Sequence, residues 1–249
     1  MSEMMNRDLL RMHEGVAQRD FRRSALWYWL NKQLIPGRTL DVGGGSGYMT
    51  LKLLAEGREV MLAEPEADLI LFAHHQVEKR GLSARFEAVN TPAEALEPAQ
   101  VGQFANIVCL DVLEHIEDDR QALRRLTQLI APNGRILITV PAMPALYGTR
   151  DKAYGHYRRH TPHSLRTLIT DCGLECTGLR YWNLVGVAPY YFYEKVLKKP
   201  VNDSLRQGSD TVLSRSIRAL LTGWLKLETR LPLWAGLSLL AVTRLPEGI

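Results

Sequence analysis

Cysteine is scarce in this chain: three in 249 residues, Cys109, Cys172 and Cys176. So odd and sparse a set builds no disulfide framework and points to a reducing compartment. Cys172 and Cys176 have no further Cys or His at zinc-binding spacing, so they read as packing residues, and no metal cluster is evident. Long apolar runs are missing as well; no stretch of about 18 apolar residues offers a membrane span. The opening MSEMMNRDLLRMHEG is charged and lacks an apolar core, which argues against a signal peptide and for a cytoplasmic location. Neither sign of charge is in large excess. A net charge of +4 and a pI near 9.0 are too mild to argue for nucleic acid by themselves.

What is present is the composition of a folded α/β protein, 46% hydrophobic and 23% charged. Its length suits one α/β domain with an insertion, or two small domains. Helical spacing runs from Asp20 to Leu34, with Phe21, Ala25, Trp27, Tyr28 and Leu30 as expected buried positions, and Pro36 and Gly37 stop it. Strand and helix signals then alternate. RTLDVG, EVMLAE, ARFEAVN, FANIVCLD and GRILITVP read as strands. Helices are expected over Tyr48–Ala55, Ala67–Lys79 and from an Asp118 cap to Ile130, with Ala122, Leu123, Leu126 and Leu129 on one face.

Strands that are apolar throughout, separated by amphipathic helices, predict a doubly wound, mostly parallel sheet covered on both faces. In such sheets ligands bind beyond the carboxyl ends of the strands, where strand order reverses. After Pro141 comes a polar and aromatic loop. Thr161 and Pro162 then open a helix to about Asp171, and a sixth strand lies near Leu174–Tyr181. Leu184–Arg230 is mostly helical, broken by the linker KKPVNDSLRQGSD, and GLSLLAVTRL reads as a last strand. The expected divisions are an N-terminal helical cap (1–38), a core (39–183), a helical insertion (184–235), and a last strand and tail (236–249).

The densest feature is LDVGGGSGYMT, Leu40–Thr50, a glycine cluster between a strand and a helix. Such a cluster lets backbone approach a ligand closely. Its spacing, Gly43, Gly45 and Gly47, departs from a dinucleotide fingerprint, which wants its third glycine where Tyr48 stands. No Gly-Lys-Ser/Thr follows, which excludes a P-loop. Glu64, at the end of the second strand, can accept hydrogen bonds from two ribose hydroxyls. Asp41 beside the loop adds charge that repels phosphate and attracts ammonium. A ligand with a ribose, an ammonium and no phosphate fits; S-adenosylmethionine is one.

LDVGGGSG, the acidic AEP, CLDVLEHIEDD and LIAPNGRILITVP together resemble the successive motifs of class I S-adenosylmethionine-dependent methyltransferases. The resemblance spans roughly Thr39–Tyr181 and implies a seven-stranded Rossmann-like fold. It assigns Asp41, Gly43, Gly45 and Gly47 to the methionine part of the cofactor and Glu64 to the ribose. Leu110 and Asp111 would line the floor. Thr91 and Pro92 stand where many members carry an acid for adenine, so Asn90, Glu94 or backbone groups would hold the base. LYGTRDKAYGHYRRHTPHSLRTLI is similar to a bacterial subgroup of small-molecule and cell-envelope methyltransferases carrying GH(F/Y)RRY, with His160 in the last place here.

Methyl transfer is an in-line displacement at an activated carbon, and a base is needed only if the acceptor carries a proton to be lost. His115, after the fourth strand, is the first candidate base and His156 the second. Arg158 and Arg159, before a helix start, could grip a carboxylate or phosphate. Tyr147, Asp151, Tyr154 and Tyr157 could shape an acceptor pocket. In the insertion, Val212, Leu213, Ile217, Leu220, Leu221, Trp224 and Leu225 recur at helical spacing beside Arg215, Arg218, Lys226 and Arg230. A basic amphipathic helix of this kind can pack on the sheet, form a lid or dimer face, or lie on the inner membrane face and meet a hydrophobic or lipid-linked acceptor.

The expectation is metal-independent transfer of a methyl group to a small molecule, at oxygen, with S-adenosylmethionine as cofactor. Rivals are a nicotinamide oxidoreductase, a non-catalytic binding module, and an RNA or protein methyltransferase. The chain shows no Asn-Pro-Pro-Tyr motif, no Pro-Cys nucleophile and no strongly basic face, so nucleic acid is not expected as a partner.

Overall fold

The computed structural model describes residues 20–198 and 212–246. The N-terminal segment expected to lack a signal peptide, most of the KKPVNDSLRQGSD linker, and the side chains of Val212 and Leu213 lie outside the description.

Seven strands form one sheet: β1 (Thr39–Val42), β2 (Val60–Ala63), β3 (Phe86–Val89), β4 (Phe104–Leu110), β5 (Ile130–Pro141), β6 (Glu175–Trp182) and β7 (Ser238–Arg244). Their order is β3-β2-β1-β4-β5-β7-β6. β1 to β5 are parallel, and β7 lies antiparallel between β5 and β6. β1 and β2 are buried along their whole length, and β4 nearly so. That is the burial of a sheet covered on both faces. The chain builds outward from β1 to β3, then returns to lay β4 on the other side of β1. The carboxyl ends of β1 and β4, paired through Val42 and Cys109, therefore form the switch-point crevice.

The helices are α1 (Phe21–Gln33), α2 (Tyr48–Ala55), α3 (Ala67–Glu78), α4 (Asp119–Gln128), the short α5 (Thr149–Ala153), α6 (Pro162–Asp171), α7 (Val187–Tyr191, continued as a π-turn over Phe192–Val196) and α8 (Val212–Glu228). Local chemistry sets their ends. Asp118 caps α4 by accepting from the Gln121 amide, and Thr161 with Ser164 forms a reciprocal cap before Pro162 on α6. Ala122, Leu123, Leu126 and Leu129 are all fully buried beneath the sheet, as their spacing predicts.

One expectation needs correcting. The buried face of α1 is Ala25, Leu26, Trp29 and Leu30, whereas Phe21, Trp27 and Tyr28 are only partly covered. Tyr28 instead receives Lys32, Lys226 and Arg230 against its ring. The α1 face packs with Val108, Leu137 and Leu240 of the sheet, so this helix is part of the core. Among the described residues of the α8 apolar stripe, Leu225 is buried and Leu221 half-buried, while Ile217, Leu220 and Trp224 are exposed. The helix is fixed instead by polar bonds. Glu228 accepts from the Asn183 and Leu184 amides at 2.7 and 3.0 Å, and Trp182 Nε1 donates to the Leu225 carbonyl at 2.9 Å.

These contrasts set an expected stability ranking. Leu123→Ala empties a site of 0% exposure and should cost about 2–5 kcal/mol in urea denaturation. Leu220→Ala, at 74% exposure, should stay within about 0.5 kcal/mol of wild type.

Candidate active site

The glycine cluster answers to two different demands. Gly44 is required by the protein's own packing: a Cβ there would come within 2.6 Å of both Asp41 Oδ2 and Leu62 Cδ1. Gly45 has a left-handed backbone, φ +57°, and nothing lies within 4 Å of where its Cβ would be. Its bare face looks onto open space. The Gly45 amide donates to Glu64 Oε2 at 2.8 Å, and the Glu66 amide lies 3.2 Å from Oε1. Glu64 is thus buried at the tip of β2 and holds the loop from the side. A carboxylate has about four acceptor positions, so hydrogen-bonding capacity remains.

Asp41 departs from the expected open charge. It is buried at 2% exposure, and its Oδ2 accepts from the Thr50 hydroxyl at 2.6 Å, tying β1 to α2. Burial raises its pKa to about 6 against the Thr50 hydrogen bond, and the charge of Glu64 adds to the rise.

Asn90 donates from Nδ2 to the carbonyls of Glu64 and Pro65, at 2.9 and 2.7 Å. It braces β3 against β2 and keeps its own amide oxygen for other partners. Glu94 lies in the turn after β3, with one carboxylate oxygen buried and lacking a hydrogen-bond partner. After β4, Leu110 is half-buried and Asp111 is exposed in a left-handed conformation, φ 54°. The Asp111 conformation is held by β5: Thr139 Oγ1 donates to Asp111 Oδ1 at 2.9 Å, and the Asp111 amide donates to Thr139. Thr139 had no signal in the sequence beyond its place in an apolar strand.

Beside this crevice a cavity of about 210 Å³ is lined by Arg22, Asp111, Glu114, His115, Asp151 and His156, among others. The His115 and His156 rings meet edge to face with centroids 4.5 Å apart. Partial desolvation at the cavity rim, then the neighbouring His156, pushes His115 below the ordinary imidazole pKa; Asp111 and a bond to the Tyr154 backbone oppose. Asp151 is the hub of the loop. It accepts from His156 Nδ1 at 3.0 Å, Arg159 Nε at 2.9 and 3.0 Å, the Gly148 amide at 3.0 Å and the Tyr190 hydroxyl at 3.2 Å. Burial raises its pKa, but the His156 and Arg159 hydrogen bonds outweigh that and bring it down to about 2.

This network changes the expected role of the arginines. Arg159 is buried and also donates to the Ala142 carbonyl and the Tyr190 oxygen. Arg158 pairs with Asp119 at 2.8 Å and bonds the Glu117 carbonyl. Both brace the loop, so neither guanidinium is arranged as an anion grip. Tyr147 spends its hydroxyl on the His156 carbonyl at 2.7 Å, and Tyr157 is half exposed outside the cavity lining. Tyr154 does line it. The helical insertion clamps the same loop: Glu194 accepts from the Thr149 amide at 2.9 Å and Lys195 Nζ donates to the Tyr147 carbonyl at 2.8 Å. Tyr190 and Glu194 came from an aromatic run, PYYFYE, whose periodicity gave them no functional signal.

A family model described as a methyltransferase domain matches residues 17–179, well over half of the chain. The chain belongs to this methyltransferase-domain family. Among curated proteins, the domain is similar to the ubiquinone biosynthesis O-methyltransferase of Pseudomonas fluorescens, at 30% identity over 48% of this chain and 52% of that protein. It is also similar to the ubiquinone/menaquinone biosynthesis C-methyltransferase of Pectobacterium atrosepticum, at 30% identity over 44% of each. The chain spans about half the length of the curated relatives it matches. Among solved structures, a glycopeptide N-methyltransferase aligns over 91% of each chain with a TM-score of 0.59 and 12% identity. That likeness establishes the shared fold alone.

Asp41 gives the methyltransferase domain a pH signature. Its folded pKa, about 6, lies above the unfolded value of about 3.9. Its contribution to stability is therefore present below about pH 4 and lost as pH rises through 6. Asp41→Asn should gain stability relative to wild type by up to about 3 kcal/mol between pH 4 and pH 7. Urea denaturation of both proteins across that range measures the difference.

Proposed function

We propose that this protein transfers a methyl group from S-adenosylmethionine to a small-molecule acceptor, at oxygen. One observation carries the proposal: a buried carboxylate, Glu64, flanks a glycine loop whose bare Gly45 face is open, at the switch point of the sheet. The arrangement suits a nucleoside whose ribose hydroxyls add to the two backbone amides already on Glu64. Tyr48 replaces the third fingerprint glycine, which disfavours the nicotinamide rival.

The residues present fit the group. Gly43, Gly45 and Gly47 would cradle the methionine end. Glu64 would bind the ribose, Asn90 Oδ1 would accept from the adenine amino group, and Leu110 with Asp111 would form the floor. Asp41 would act from beneath by fixing α2 to β1. When bound, the cofactor supplies an electrophilic methyl carbon. The chain supplies alignment, exclusion of water and a place for the proton. His115 leans toward the neutral form and faces the cavity, so its free nitrogen can take an acceptor proton; His156, held by Asp151, would turn its Nε2 to the same space. Tyr154 would wall the acceptor.

The likeness to quinone-pathway relatives, whose names record methylation at oxygen and at carbon, supports a hydrophobic cyclic acceptor. The GHYRRH segment supports the small-molecule and cell-envelope subgroup. The exposed apolar residues of α7 and α8, among them Phe192, Leu220 and Trp224, support peripheral contact with the inner membrane face or a homodimer face. No helix among the described residues is long and apolar enough to cross a membrane.

Calorimetric titration tests the proposal. S-adenosylhomocysteine should bind and a nicotinamide dinucleotide should not; the reverse would overturn it. Glu64→Ala should weaken S-adenosylhomocysteine by about 1–3 kcal/mol, the worth of hydrogen bonds to a charged group. His115→Ala should leave that affinity within about twofold and cut single-turnover methyl transfer to a phenolic acceptor by about 10²-fold or more.

A further inference from the structure

Glu114 has no part in the chemistry above, and its surroundings are unusual. Its side chain is fully buried, and neither carboxylate oxygen has a hydrogen-bond partner. Buried acids are ordinarily satisfied, so an orphan at a cavity wall calls for an explanation. Burial, then the charge of Asp111, pushes its pKa well above the usual carboxylate range, against its own backbone amide and the charge of Arg159.

A Glu114 oxygen and one ring nitrogen each from His115 and His156 all lie within 4.8 Å of one another. Among the described residues these three form the one such group. The far side of the His156 imidazole is occupied. His156 Nδ1 faces the Asp151 carboxylate at 3.0 Å, so Nε2 carries the free lone pair. His115 bonds the backbone of Tyr154. Histidines that ligate metals are characteristically held this way, by a carboxylate or carbonyl on the far nitrogen.

We propose that Glu114, His115 and His156 bind one divalent transition-metal cation at the wall of the acceptor cavity. Two imidazoles and a carboxylate suit zinc, cobalt, manganese or iron, and the cavity leaves positions for exogenous oxygen ligands. Ligand atoms at about 2.0–2.2 Å from a metal sit closer together than 4.8 Å, a closure that side-chain rotation can supply. The ligands come from the loops after β4 and β5, so no sequence spacing reveals them.

The site itself needs only these residues; its role rests on the methyl-transfer reading. An acceptor hydroxyl on the cation would lose its proton to water. The oxygen lone pair then forms the C–O bond as the C–S bond breaks, and that electron pair stays on sulfur. No redox change occurs. The histidines then act as ligands, and acidification by the cation replaces proton removal by imidazole.

The test uses the 249-residue protein stripped with chelator, then titrated with Co²⁺ by absorption and with Zn²⁺ by equilibrium dialysis. One equivalent should bind, with ligand-field bands in the visible. Glu114→Gln, His156→Ala and His115→Ala should each weaken Co²⁺ by more than about tenfold, the least expected for losing even an outer partner. His115 is exposed, so its variant keeps the test decisive if the buried Glu114 substitution fails to fold. Absence of saturable binding, or unchanged affinity in the His115 and His156 variants, would overturn the site. S-adenosylhomocysteine titrations on the same samples separate the two proposals. Cofactor binding without metal binding sinks the cation site alone, and metal binding without cofactor binding supports the site and sinks the cofactor assignment.

Discussion

The crevice side of this molecule is organised by a single buried carboxylate. Asp151 gathers donors from its own helix start, from His156, from Arg159 and from Tyr190 on the insertion. Breaking a buried ion pair on one side leaves the other charge uncompensated, a loss of several kcal/mol, whereas its net contribution over an apolar substitute is small. What such a network fixes is geometry. Here it orients the His156 ring, pulls Arg159 inward and joins α7 to the loop after β5. The insertion is thereby a brace for the acceptor side as well as a surface feature.

The other half of the crevice is set by the switch in strand order. Because β4 lies beside β1, the glycine loop and Asp111 emerge side by side, and Thr139 of β5 locks Asp111 in its left-handed conformation. Within the loop, packing and binding place separate demands on neighbouring glycines. Gly44 is small because Asp41 and Leu62 press on it; Gly45 is bent so that its amide meets Glu64 while its face stays open. Internal support and ligand access are achieved in two adjacent residues.

Much of this was legible in the sequence. Apolar strands with amphipathic helices between them gave the sheet, and caps at Asp118 and Thr161 with glycines after α2, α3 and α6 gave boundaries, because these are local effects of backbone and nearest-neighbour chemistry. The misreadings fall where a residue's partner is remote. Tyr28 looks like core by spacing but sits under three cations, two of them from beyond β6. Arg158 and Arg159 look like a grip until Asp119 and Asp151 are found beside them. Asp41 looks like a surface charge until α2 folds over it and Thr50 caps it. Periodicity records which side of an element is apolar, and it carries no record of which charge meets which.

The same limit bears on the acceptor. The similar proteins carry names recording methylation at oxygen, carbon and nitrogen, so the shared fold leaves the methylated atom to side chains around the cavity. In this chain those include two imidazoles in contact, an unpartnered acid behind them, an exposed Asp111 at the rim and the guanidiniums of Arg22, Arg150 and Arg159. Of the GHYRRH arginines, Arg159 lines the cavity but is committed to Asp151, and Arg158 pairs with Asp119 outside that lining. The choice of acceptor therefore falls to a mixed wall of imidazoles, carboxylates and guanidiniums, whose members come from loops that the sheet brings together and that no single motif encodes.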